Sequence, residues 1–139
     1  MQSASAISEH LDTRTAAIEV AALLEKAMAG PTDLIFVFAS FHHRESFEEA
    51  VADIRQTLNP KTIIGVTAES VVGCDLELEG VAGLSAIAMR LPDVTITPWT
   101  TTPSKPVPIS RPEAIPEWIG LQDDTKAAFF FGDPFSTPI

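Results

Sequence analysis

The chain predicts an α/β domain with a mixed β-sheet, parallel around one strand–helix–strand unit and antiparallel at a later hairpin, with helices packed on the sheet. Three observations lead there. A fully apolar run of strand length at residues 34–39 precedes a helical period over 46–58 and a second β-branched run at 62–66. A crossover of that length joins two parallel strands right-handedly. Residues 81–91 and 94–97 are apolar stretches either side of Pro92 and Asp93, the pattern of an antiparallel hairpin with one wet face.

Residues 12–30 form the first element. Ala16, Ala17, Val20, Leu23, Leu24 and Ala27 fall on one stripe of a helix with 3.6 residues per turn. Asp12 or Thr13 supplies the cap, and Gly30 with Pro31 supplies the stop. Residues 34–39 carry no polar side chain, as a central strand covered on both faces requires. Ser46 and Glu49 have capping-box spacing. Phe47, Ala50, Val51, Ile54 and Leu58 continue at helical intervals until Asn59 and Pro60. The strand at 62–66 then opens into small and hydroxyl residues, which reads as a buried strand feeding an exposed polar loop over 65–80. Between residues 101 and 112, prolines at 103, 106, 108 and 112 deny backbone donors and predict an irregular connector. Pro116 breaks a short helical stretch at 113–121, and 126–132, with Phe129, Phe130 and Phe131, reads as another buried strand. The remaining residues, 133–139, leave that strand with nothing after it to cover it, as in a shortened or truncated domain.

Bulk properties bound the function. A chain of 139 residues is one domain's worth, and near that length about two thirds of the unfolded surface can be buried. The net charge of −10 comes from 19 acidic and 9 basic residues with no basic cluster, which opposes binding to a phosphate backbone. Nucleic acid is excluded as a partner on that ground. The single Cys74 cannot form an internal disulfide, which fits a reducing, cytoplasmic location. Glu9, Asp12, Glu19 and Glu25 interrupt any signal-peptide core. No apolar window is long enough to span a bilayer.

Chemistry concentrates where the strands end. Ligands of open α/β sheets bind outside the carboxyl ends of the strands. Those ends carry Ser40, His42, His43 and Arg44 in one loop and Thr67, Ala68, Glu69 and Ser70 in the other. These eight are the candidate ligand-binding residues. Hydroxyls beside a carboxylate suit an ammonium or amide, and the Arg44 guanidinium suits a carboxylate. Strand-to-loop capping by Thr67, Glu69 and Ser70, and a surface pair of Arg44 with Glu45 or Glu48, are the alternative readings. His42 and His43 would point to opposite sides of an extended backbone and so would not chelate together. Solvated neutral histidines are the plainer reading. Asp75, Glu77 and Glu79 alternate with leucines as a solvated strand face, and Cys74 reads as a buried or idle thiol. No cofactor or metal is called for. With no nucleophile elbow, phosphate-binding loop or helical metal pair, catalysis has no motif to carry it.

The run of strand, Gly65, Thr67, Ala68, Glu69, then Gly73 and Glu77–Leu78–Glu79–Gly80 before Ala82, Gly83, Leu84, Ser85 and Ala86 resembles the signature of the FIST N-terminal domain, and the resemblance returns at Phe129–Phe130–Phe131–Gly132–Asp133–Pro134–Phe135–Ser136. The resemblance covers most of the chain in order. Val66 stands where such domains often have cysteine, and the proline-rich connector replaces a more regular segment. The resemblance implies a sensory domain of bacterial signal transduction that binds a small molecule, such as an amino acid, without catalysis, and that is followed by a FIST C-terminal domain. A protein-interaction or oligomerisation module, pairing through an exposed strand edge or the 129–135 face, is the alternative reading. A small cytosolic enzyme is the third.

Overall fold

A computed structural model of the chain describes residues 1–102, 106–108 and 110–132. Two compact units divide it, Met1–Val94 and Thr95–Ile139. The first unit contains β1 (Gln2–Ser8), α1 (Thr13–Ala27), β2 (Leu34–Ser40), a 3-10 turn at Phe41–Ser46, α2 (Phe47–Leu58), β3 (Thr62–Ala68), β4 (Ser70–Gly73), β5 (Leu76–Glu79) and β6 (Leu84–Arg90). The main sheet has the order β1-β6-β2-β3. β2 and β3 are parallel, with Leu34 opposite Thr62 and Ser40 opposite Ala68. β6 runs antiparallel to both β1 and β2, so β1, β2 and β3 point the same way. The mixed α/β architecture, with its parallel pair and an antiparallel hairpin, is therefore what the sequence predicts.

The core lies between one face of this sheet and the two long helices. Ala16, Ala17, Val20, Ala21 and Leu24 of α1 join Ala50 and Ile54 of α2 against Ile35, Val37 and Ala39 of β2 and Leu84, Ala86 and Ala88 of β6. Asp12 caps α1, accepting a hydrogen bond from the Thr15 N–H at 2.8 Å. The helix is rotated slightly from its expected stripe. Ala21 is buried while Leu23 is 47% exposed, because a stripe of alanines lets the helix seat closely and a leucine at the margin does not fit beneath it. At α2 the capping box does not form; Ser46 makes no side-chain cap, since the 3-10 turn runs straight into the helix and supplies the first turn.

Several elements differ from expectation. The polar stretch at 65–80 is not a loop. β3 continues to Ala68, and β4 and β5 pair as a tight hairpin with Ser70 opposite Glu79 and Gly73 opposite Leu76. Cys74 sits at its turn with φ +53°, exposed rather than buried. The hairpin rests on the sheet face away from the helices. A Cβ on Gly73 would lie 3.1 Å from Ile7 Cβ and 3.2 Å from Ser85 Cβ, residues that alternate with the helix-facing Ala6 and Leu84. Buried Val71 and Leu78 anchor it, and Gly83 leaves room for both.

The hairpin expected from 81–97 is absent. β6 is instead sandwiched between β1 and β2, and 94–97 takes no strand conformation. β1 was hidden because Gln2–Ser8 is mostly serine and alanine, small residues that give the alternation little hydrophobic contrast.

In the second unit, a 3-10 turn at Pro112–Ala114 leads into α3 (Ile115–Trp118). Pro116 stands in the first turn of α3, where its missing N–H costs nothing, so it begins a helix rather than breaking one. Residues 126–132 are not a buried strand. Phe129, Phe130 and Phe131 are 59%, 51% and 36% exposed. Trp99 stacks on Phe130 with centroids 5.5 Å apart and meets Trp118 edge-on at 5.4 Å. Pro103 of the connector and residues 133–139 lie outside the described residues. The other described residues of the connector up to Arg111 contain no helix or strand element.

Candidate functional site

Because β1, β2 and β3 share a direction, their carboxyl ends and the starts of α1 and α2 collect at one edge. Ser8, Ser40 and Ala68 are the last residues of the three strands. The sequence-predicted loops are adjacent there, since Ser40 is the register partner of Ala68. Two of the three strand-end residues are hydroxyls committed to the fold. Ser8 Oγ donates to Glu19 Oε2 at 2.5 Å and accepts from the His10 N–H at 3.2 Å. Buried Ser40 accepts from the Gly83 N–H through Oγ at 3.0 Å, while its own N–H donates to the Gly83 carbonyl at 2.7 Å. Ser40 thus clasps the entry to β6 and is a structural residue.

The two histidines part company. They occupy a 3-10 turn, not a strand. His42 is exposed, with Nδ1 3.3 Å from Ser40 Oγ. His43 is fully buried, with Nδ1 3.0 Å from Thr13 Oγ1 and Nε2 without a hydrogen-bond partner among the described residues. Burial, with a smaller contribution from neighbouring His42, pushes the His43 pKa below its ordinary value, opposed weakly by Asp12. The solvated reading holds for His42 and fails for His43. Arg44 is exposed, lies 4.1 Å from the centroid of the Phe41 ring, and reaches Glu45 at 3.8 Å. The expected surface pair forms, and at that length in water it contributes little.

The residues at and just after the end of β3 are in the opposite condition. Thr67 and Glu69 are exposed and Ser70 is half-buried. Glu69 and Ser70 line a cleft of about 540 Å³ with Glu79 and Gly80. Ser70 follows Glu69 in the chain and is the register partner of Glu79 across the hairpin, so the cleft lining carries two carboxylates and one hydroxyl. Two carboxylates and a hydroxyl with few positive neighbours favour a cationic group such as a primary ammonium. No family model, curated protein or solved structure matches the chain.

A second cleft, about 430 Å³, lies at the starts of α1 and α2 and is lined by Asp12, Thr13, Arg14, Ser46, Glu49, Ala50 and Asp53. Arg14 Nε spans it to Asp53 Oδ2 at 3.8 Å. The sequence reads Asp12 and Ser46 only as caps; Asp12 does cap α1 while Ser46 caps nothing through its side chain, and both stand where a helix starts at the edge on which β1 and β2 end. Hydrogen bonds from Thr15 hold the Asp12 carboxyl below its usual range. Asp33, also missed, works at the far end of the sheet. It takes Lys61 Nζ at 2.7 Å and the Leu91 N–H at 2.6 Å, which lowers its pKa and ties β3 and β6 to the start of β2. No group of three metal-ligating side chains occurs among the described residues, and no helix among them is long and apolar enough to cross a membrane.

Proposed function

We propose that the chain is a non-catalytic sensory domain that binds a small amine-bearing molecule, with amino acids as the class to test, at the carboxyl ends of β2 and β3. The observation that carries this is the cleft of about 540 Å³ lined by Glu69, Ser70, Glu79 and Gly80. It lies where ligands of open α/β sheets are met, and its side chains are not consumed by the fold as Ser40 is. The resemblance to FIST N-terminal domains supports the same reading. Thr67, His42 and Arg44 do not line this cleft but stand at the same strand ends, with Arg44 as the group proposed to meet a ligand carboxylate. Ser40 and His43 act behind them by fixing the strand end and the 3-10 turn.

The test is a thermal-shift and calorimetric screen with amino acids, simple amines and their amine-free analogues. A ligand that binds only the folded chain, at about a hundredfold excess over its Kd, adds roughly 2.7 kcal/mol, a rise in Tm on the order of 10 °C for a domain of this size. Glu69→Gln with Thr67→Ala should abolish the shift while the circular-dichroism spectrum of the unliganded chain stays that of the wild type. Saturable binding of amine-free analogues with equal affinity, or no binding by a folded chain, overturns the reading.

A further inference from the structure

We infer that two copies of this chain pair through the outer edge of β3 in antiparallel register centred on Gly65, joining their sheets across a two-fold axis and placing Lys61 of the partner subunit beside Glu69.

The edge is open and correctly directed. β3 ends the main sheet, and no strand among the described residues pairs with its outer side. Thr62 N–H donates to the Asp33 carbonyl, so the even-numbered residues of β3 bond β2. The odd-numbered Ile63, Gly65 and Thr67 aim their N–H and C=O groups outward. Gly65 and Thr67 are exposed. Edge strands are ordinarily blunted by lysine, proline, a bulge or a short length. Over its seven residues, TIIGVTA, β3 has no proline and no charge.

The occupant follows from self-complementarity. A two-fold contact meets itself, so residue i must suit its own partner position. Centred on Gly65, outward groups meet outward groups throughout: Gly65 opposes Gly65, Ile63 opposes Thr67, and all seven residues are used. One step beyond each end, Lys61 opposes Glu69. These are the charges that flank the strand, and they are opposite in sign. Lys61 is 76% exposed at its side chain and gives one bond to Asp33, leaving ammonium donors for a second carboxylate. Shifting the register in either direction shortens the overlap and separates that pair. The other sheet edge lacks this symmetry. β1 carries no charge, and the Cys74 thiol donates to the Ser5 carbonyl at 3.4 Å.

The pairing does not depend on the ligand reading, although it would bring a cation to the Glu69 side of the cleft. It is tested on the full chain by sedimentation equilibrium and by zero-length carbodiimide cross-linking with peptide mapping. Within one chain, Lys61 and Glu69 are about 26 Å apart along the strand at roughly 3.3 Å per residue, so a Lys61–Glu69 amide can form only between copies. The Lys61–Asp33 cross-link is the intrachain control.

We expect a dimer carrying the Lys61–Glu69 link. Thr67→Pro removes an outward donor from each copy without touching the β2 ladder, and should weaken the dimer by about thirtyfold, the equivalent of two net hydrogen bonds. Glu69→Lys faces lysine with lysine and should weaken it roughly tenfold. Circular dichroism reports whether each variant folds; if Thr67→Pro does not, Glu69→Lys and the cross-link map decide. A wild-type chain still monomeric at about 1 mM, or a dimer indifferent to these variants and lacking the link, overturns the inference.

Discussion

The two units solve the burial problem differently. In Met1–Val94, aliphatic and alanine side chains from two helices and two strands, β2 and β6, reach complete burial. Ile35, Val37, Ile54, Leu24 and Leu84 are all 0% exposed. Among the described residues of the second unit none is buried to that degree, and the aromatic group of Trp99, Trp118 and Phe130 takes the place of an aliphatic core. Regular elements account for the difference. A strand flanked on both sides and covered by a helix excludes water from every alternate residue, whereas one turn of helix and a proline-rich segment offer no repeating surface to pack upon. Apolar composition alone therefore does not make a core.

The strongest way to break this comparison is to truncate a side chain in each unit. Ile54→Ala should cost about 3–4 kcal/mol, because the methyl and ethyl groups it removes leave a cavity between α2 and the sheet; chemical denaturation reads it as a lower midpoint at an unchanged slope. A loss below about 1 kcal/mol would mean the helix layer collapses into the space. Next in size is Gly83→Ala. Its new methyl would stand 2.6 Å from Val71 Cγ2 and 2.8 Å from Leu78 Cδ1, so the β4–β5 hairpin must shift on the sheet at a cost of about 1–3 kcal/mol. Faster hydrogen exchange confined to 70–79 would locate the effect there.

Acid sharpens the comparison within the first unit. His43 has a folded-state pKa below its value of 6.5 in the unfolded chain, so the unfolded state binds the proton more readily. The stability that neutral His43 contributes is complete above about pH 6.5 and falls as pH drops below it toward the folded pKa. Asp12 and Asp33, whose folded pKa values are lowered from 3.8, lose their contribution only at lower pH, through and below that value. Melting curves of wild type and His43→Gln should therefore converge between neutral pH and about pH 5. Parallel curves would show that the imidazole is not what responds. The smallest effect is expected in the second unit. Phe130→Ala should cost about 0.5–1.5 kcal/mol, the worth of one aromatic pair, and a cost matching that of Ile54→Ala would erase the distinction between the units.

The sequence, by itself, determined the parallel β2–α2–β3 unit and the helix at α1. Their signals are local: an uninterrupted apolar run, a 3.6-residue stripe, Asp12 before it and Asn59 after α2. It also determined that Ser40 and Thr67 to Ser70 share an edge, since a right-handed crossover leaves no other arrangement. Tertiary structure alone decided which strand lies beside β6. Pairing with β1 joins residues about eighty positions apart, and nothing in Gln2–Ser8 except weak alternation announces it. It likewise decided the fates of neighbours that look alike in the chain. His42 is in solvent and His43 in the interior because a 3-10 turn rotates successive side chains by about 120°, and Ser40 serves Gly83 while Ser70 faces a cleft because only one of them ends a central strand. Local pattern fixes an element's type; what each side chain then touches depends on partners brought together from far along the chain.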